Sequence, residues 1–167
     1  MKEHYTSGFV YTVETVNRKT GEVVEQEVVH NIMPEQGRNH MLDVALNGMT
    51  QTQNWYLLPY GNDYEPQDSD TAATLPTTAG ELTNYAGSTR VRINTASAVG
   101  GVVSNDANRA EFEFDAEVTV RGLALVSVPN KGSPLGTLLS AVRLSSPKTP
   151  DPEFTLRVLA VIDLQSA

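Results

Sequence analysis

The residues best suited to chemistry in this chain are few and scattered. Its three histidines, His4, His30 and His40, belong to no H-x-x-x-H, H-E-x-x-H or H-x-E arrangement, so they read as structural or surface groups and a zinc enzyme lacks its ligands. Cysteine is absent, which removes disulfide staples, thiolate metal sites, iron–sulfur clusters and a cysteine nucleophile together. A serine hydrolase would carry its nucleophile in a G-x-S-x-G elbow; Gly132-Ser133-Pro134 and Gly87-Ser88-Thr89 are turn chemistry instead. Gly100-Gly101 is not followed by the Lys-Ser/Thr of a phosphate loop and reads as a tight turn. Asn62, Asp63, Glu65, Asp68 and Asp70 offer hard oxygens to calcium but miss the D-x-D-x-D-G spacing, so they read as a solvated acidic loop. Glu111, Glu113 and Asp115 share one strand face, where glycosidase carboxylates would have to flank a bond across a cleft; they read as an exposed sheet face. The expectation is a protein with no catalytic residue, no metal and no cofactor.

Aromatic side chains suggest contact rather than catalysis. Trp55, Tyr56, Tyr60, Tyr64 and Tyr85 surround the acidic stretch, and such rings bury area while keeping a polar tip. Core packing accounts for Trp55 equally well. Phe9 and Tyr11 on the first strand, with Tyr60 and Tyr64, are the candidate residues of a partner interface.

The elements that must position these groups are mostly strands. Residues 9–16, FVYTVETV, alternate with Phe9, Tyr11 and Val13 on one face; Asn17 to Gly21 supply a turn, and residues 23–29 return as the second arm of a hairpin. Residues 31–48 read as a helix of about three turns, with Pro34 and Glu35 at its start, an apolar stripe of Met41, Leu42, Ala45 and Leu46, and Gly48 as its stop; Gly37 sits awkwardly inside it. Residues 55–58 form a buried strand. Residues 60–80 follow as a long polar, acidic loop without a clean period, and loops of that length are functional or disordered. Residues 81–85 are expected to make one helical turn. From residue 90 on, strands near 90–93, 99–103, 109–115, 117–128, 135–144 and 154–164 alternate with Gly-, Asn- and Pro-rich turns. The last is apolar on both faces, as befits a central strand or one docked to another subunit. Eight or nine strands with one helix predict a single mainly β domain over residues 1–167, a jelly-roll-like antiparallel β-sandwich opened by an N-terminal arm and hairpin at 1–30.

Composition sets the outer limits. The chain has 167 residues, enough for one domain with a sizeable core, and no apolar run approaches the roughly 20 residues of a membrane helix. Met1-Lys2-Glu3-His4-Tyr5 puts acidic and aromatic groups where a secretory leader has a long apolar region, so export by that route is not expected. The net charge of −8 is lopsided: twelve acids face four Lys and Arg up to residue 89, and eight face eight thereafter. Arg90, Arg92, Arg109, Arg121, Arg143 and Arg157 are interleaved with acids rather than clustered, which argues against a nucleic-acid surface and leaves room for a basic protein partner.

Several segments taken in order carry a resemblance. Val28-Val29-His30-Asn31 with Gly37, Trp55-Tyr56-Leu57-Leu58, the Asp70-Thr71-Ala72-Ala73-Thr74-Leu75 run leading to Glu81-Leu82-Thr83-Asn84-Tyr85 and Arg90, Val120-Arg121-Gly122-Leu123-Ala124-Leu125-Val126, and Gly136-Thr137-Leu138-Leu139-Ser140 together resemble small virion structural proteins of tailed bacteriophages, of the head decoration or cement kind. Similar patterns occur in phage tail and fibre-associated proteins. The resemblance implies a protein without enzyme activity or cofactor. It would assemble in the host cytoplasm and sit on the capsid surface of the virion, with the major capsid protein and copies of itself as partners, often as a trimer, and with neither nucleic acid nor membrane bound. A carbohydrate-binding jelly roll using the loop from Tyr60 to Asp70 is the reading from a different class.

Overall fold

A computed structural model describes residues 8–164, so His4 and the opening Met1 to Tyr5 lie outside the described residues. Among the described residues nine strands, β1 (Gly8–Asn17), β2 (Val23–His30), β3 (Trp55–Tyr60), β4 (Val91–Ile93), β5 (Val102–Ser104), β6 (Ala110–Glu113), β7 (Val120–Val126), β8 (Leu138–Lys148) and β9 (Phe154–Asp163), accompany two α-helices, α1 (Glu35–Leu46) and α2 (Leu75–Thr78). They form two antiparallel sheets packed as a sandwich. Sheet A has the order β2-β1-β9, with β5 and β6 sharing the far edge of β9; sheet B has the order β4-β3-β7-β8.

Alternation decides what points inward. Phe9, Tyr11 and Val13 of β1, Phe112 of β6, and Leu156, Val158 and Ala160 of β9 meet Leu57, Leu123, Leu125 and Val142 of sheet B in the main core. The β1–β2 hairpin follows the sequence reading, and its turn is held by Asn17, whose Oδ1 accepts from the Lys19 and Thr20 amides at 2.9 and 3.0 Å. The sheets are joined where the chain leaves β2: Ile32 and Ala141 exchange backbone hydrogen bonds, and the buried Lys148 of β8 reaches Glu25 and Glu27 of β2 at 2.5 and 2.8 Å.

Sheet B is buried on both faces, which corrects the reading of residues 60–80 as a solvated loop. That stretch lies over the outer face, where Ala72, Leu75 and Ala79 pack on Leu58, Tyr60, Ala124, Val126, Leu138 and Ala141 as a second core. The helical turn in this region is α2, not residues 81–85, whose ends Glu81 and Tyr85 make isolated bridges to Tyr60 and Phe114. Helix α1 has about the three turns expected within residues 31–48 and rests on β8 by its first turns. A Cβ on Gly37 would lie 2.4 Å from the Leu139 carbonyl oxygen, so the glycine that weakens the helix by propensity is what lets it approach the sheet. Gln36 Oε1 accepts from the Ala72 and Leu138 amides at 3.0 and 2.8 Å, tying helix, covering segment and sheet together. In the expected stripe Met41 reaches the core, whereas Leu42 and Leu46 are exposed.

Asn105 closes the gap between β5 and β6. Its buried side chain donates to the Val158 carbonyl at 3.2 Å and accepts from the Ala160 amide at 2.7 Å, standing in for the missing rungs along β9. Asn105→Ala leaves both backbone groups without a partner and is expected to cost about 2–3 kcal/mol. Denaturant unfolding measures the loss, and hydrogen exchange should quicken at the Ala160 amide; a loss below about 0.5 kcal/mol, the usual range for a surface change, would remove this role.

Candidate functional site

The strand period that builds the core takes three of the four expected interface residues out of reach. Phe9, Tyr11 and Tyr60 are buried within the chain. Phe9 and Tyr11 face inward on β1, and the Tyr11 hydroxyl shares a 2.9 Å hydrogen bond with Ser140 Oγ; burial pushes its ionisation far above the ordinary phenol range. Tyr60 turns to the outer face of sheet B, lies over Gly122 and donates to the Val142 carbonyl at 2.8 Å. Tyr64 is half-buried in the covering segment and donates to Asp70 Oδ1 at 2.8 Å; desolvation together with that carboxylate pushes its hydroxyl up to about 12. These rings hold the fold together and present no joint surface.

The acidic stretch is likewise dispersed. Asp63 and Glu65 pair with Arg143 at 2.6 and 3.6 Å, Asp68 pairs with Arg38, Asp70 accepts from Tyr64 and the Gln67 amide, and Asn62 donates to the Thr78 carbonyl. No group of three or more His, Asp and Glu among the described residues is placed to hold a metal ion. Glu113 pairs with Arg18 at 2.8 Å, while Glu111 and Asp115 are exposed. His30 is exposed on β2; His40 stands edge-on to Trp55 at 5.5 Å with Nε2 3.2 Å from Thr52 Oγ1.

The lopsided charge has an internal explanation. Arg90, Arg109, Arg143, Arg157 and Lys148, all from the neutral second half, pair with Glu81, Glu14, Asp63, Glu14 and Glu25 of the acidic first half. At Glu14, burial by itself would raise the carboxyl, but the hydrogen bonds and charges of Arg157 and Arg109 outweigh it and hold the group below its ordinary value. Much of the surplus acid meets the chain's own arginines and lysine.

Two features that no motif announces remain. Among the described residues, the outer face of sheet A carries apolar side chains that are half-buried or exposed. Register places Val28, Thr12 and Leu159 in one row across β2, β1 and β9, and His30, Val10 and Val161 in the next; Val28 is 55% exposed. The two-sided apolar character of β9 was the sequence signal for it. The second feature is a cavity of about 610 Å³ at one end of the sandwich, where Phe9 and Ile162 of sheet A, Leu125 and Leu139 of sheet B and Met41 of α1 line an apolar interior beside Trp55.

Comparison with models of known protein families gives no match, and a search of curated proteins gives none either.

Proposed function

We propose that the chain is a non-enzymatic structural protein of a tailed-phage virion that binds the capsid exterior and cements neighbouring major capsid proteins, itself as a homo-oligomer. The observation that carries this reading is the contrast between the two sheets. The outer face of sheet B is covered by the chain's own residues, whereas on that of sheet A, among the described residues, Val28 is exposed and Val10, Leu159 and Val161 are half-buried over three neighbouring strands. Aliphatic groups arranged this way gain from being covered, at roughly 25 cal/mol per Å² of apolar surface. The residues behind the phage resemblance also suit a scaffold: they fall on β2, β3, β7, β8, the covering segment and the Arg90–Glu81 pair. A tail, baseplate or fibre-attachment role would use the same face against a different neighbour.

Purified protein added to shells that lack it should bind and raise the temperature at which particles release DNA. Val28→Arg, at an exposed position, should leave the fold within about 0.5 kcal/mol of the parent and weaken shell binding by about tenfold or more. Binding to tails in place of shells, unchanged particle stability, or undiminished binding by the variant would refute the cement reading.

A further inference from the structure

Residues 83–87 turn three backbone carbonyls toward one point. The oxygens of Thr83, Tyr85 and Gly87 accept from the Lys131 ammonium at 3.1, 2.7 and 2.8 Å. Every second carbonyl of an extended chain leaves on the same side, and Gly87, at a φ of 88°, supplies the bend at which the last of the three turns back. Lysine has three N–H donors, one for each oxygen. Among the described residues no other group donates to these carbonyls.

The Tyr85 ring closes the site from a further side. Lys131 Nζ lies 3.6 Å from its centroid, and Phe112 and Phe114 meet the ring edge-on at 5.0 and 6.0 Å, so its face is held toward the charge. An aromatic face is the negative part of the ring's quadrupole and attracts the same cation as the carbonyl dipoles. No carboxylate shares in this. Lys131 forms no ion pair among the described residues, and Glu81, beside the same turn, is held by Arg90 and the Gly132 amide. Carbonyl oxygens that replace a hydration shell are a means of holding a small monovalent cation. The lysine fills such a shell from within the chain.

We propose that residues 83–87 and the Tyr85 ring form a binding site for one small monovalent cation, and that the Lys131 ammonium is its tethered occupant. What orders this segment is then a single positive charge of that size at that point, rather than the stem that delivers it. The untethered equivalents are ammonium, which is the same group without the chain, and potassium, an ion of similar size. The site uses none of the outer-face residues assigned to shell binding, so either proposal stands or falls without the other.

Lys131→Met keeps most of the stem, removes the charge and leaves the three carbonyls without a donor. The full-length variant is melted in ammonium, potassium and tetramethylammonium chloride at equal concentrations, each value read against the parent in the same salt to remove general salt effects. Tetramethylammonium carries the charge but is too bulky to reach the carbonyls. In that salt the variant should melt below the parent, and hydrogen exchange at residues 83–87 should quicken. Ammonium or potassium should close the gap saturably by about 2–4 °C and slow exchange at the same residues. The same gap in all three salts, a gap that closes with no slowing of exchange at residues 83–87, or a variant as stable as the parent in tetramethylammonium would each overturn the assignment. Should Lys131→Met fail to fold in tetramethylammonium chloride, ammonium or potassium must restore the folded protein, and failure to do so overturns it equally.

Discussion

Replacing Gly122 with alanine should destabilise the protein by about 3–5 kcal/mol, which for a chain of this size lowers the melting temperature by roughly 6–20 °C. Gly122 pairs with Tyr60 across β7 and β3, and a Cβ there would lie 2.0 Å from Tyr60 Cζ, 2.2 Å from its hydroxyl and 2.4 Å from the Val142 carbonyl oxygen. Neither neighbour can give way cheaply. The carbonyl belongs to the β7–β8 pair, and the ring is fully buried with its hydroxyl bonded to that same carbonyl. The conflict is one of space alone, so removing the ring should relieve its larger part and leave only the contact with the Val142 carbonyl oxygen. Tyr60→Ala is costly by itself, but Gly122→Ala added to it should cost far less than in the parent. A double-mutant cycle from urea unfolding measures the coupling. Additive losses, or a Gly122→Ala protein as stable as the parent, would show that the ring does not need the missing Cβ.

That contact also shows which parts of the fold could be read beforehand. The β1–β2 hairpin and the inward face of β6 follow from period-two alternation of apolar and polar residues. Sheet B offers no alternation. Residues Val120 to Val126 read VRGLALV and are buried on both sides, which signals that something must cover the outer face without saying what. The cover is residues 61–80, whose buried Ala72, Leu75, Pro76 and Ala79 follow the i, i+3, i+4, i+7 spacing of one helical face around α2, a pattern of a single turn built from alanines and a proline that is too short to stand out beside the acidic stretch before it. Tyr60 reads as a partner-facing ring because its neighbour in the fold is Gly122, sixty-two positions away, and a residue without a side chain leaves no hydrophobic trace. The cavity was illegible because its lining comes from both sheets, α1 and the loops beside them, none of which carries a motif.

Glu81→Gln should be about as damaging, at about 3–5 kcal/mol, by an electrostatic route. Arg90 is the largest fully buried side chain among the described residues, and it grips Glu81 with two parallel bonds, Nε to Oε1 at 2.8 Å and Nη2 to Oε2 at 2.7 Å. The guanidinium also donates to the Val128 and Ser133 carbonyls, both at 3.0 Å, and Glu81 Oε2 accepts from the Gly132 amide at 3.0 Å. The pair therefore organises the turn between β7 and β8 as well as neutralising itself. Removing the negative charge alone strands a cation in the interior, where it cannot recover its hydration. Removing both charges, as in Arg90→Met with Glu81→Leu, abolishes that penalty but orphans the two carbonyls and the amide, so the double variant should lie between the parent and Glu81→Gln. This ordering separates the two contributions. Were the double variant as stable as the parent, the backbone contacts would count for little; were it worse than Glu81→Gln, the hydrogen-bonded turn rather than the buried charge would dominate. Lys131, on the same turn, donates to the carbonyls of Thr83, Tyr85 and Gly87 and lies over the Tyr85 ring, so hydrogen exchange in Glu81→Gln should spread through residues 83–87 and 128–134 before it reaches β9.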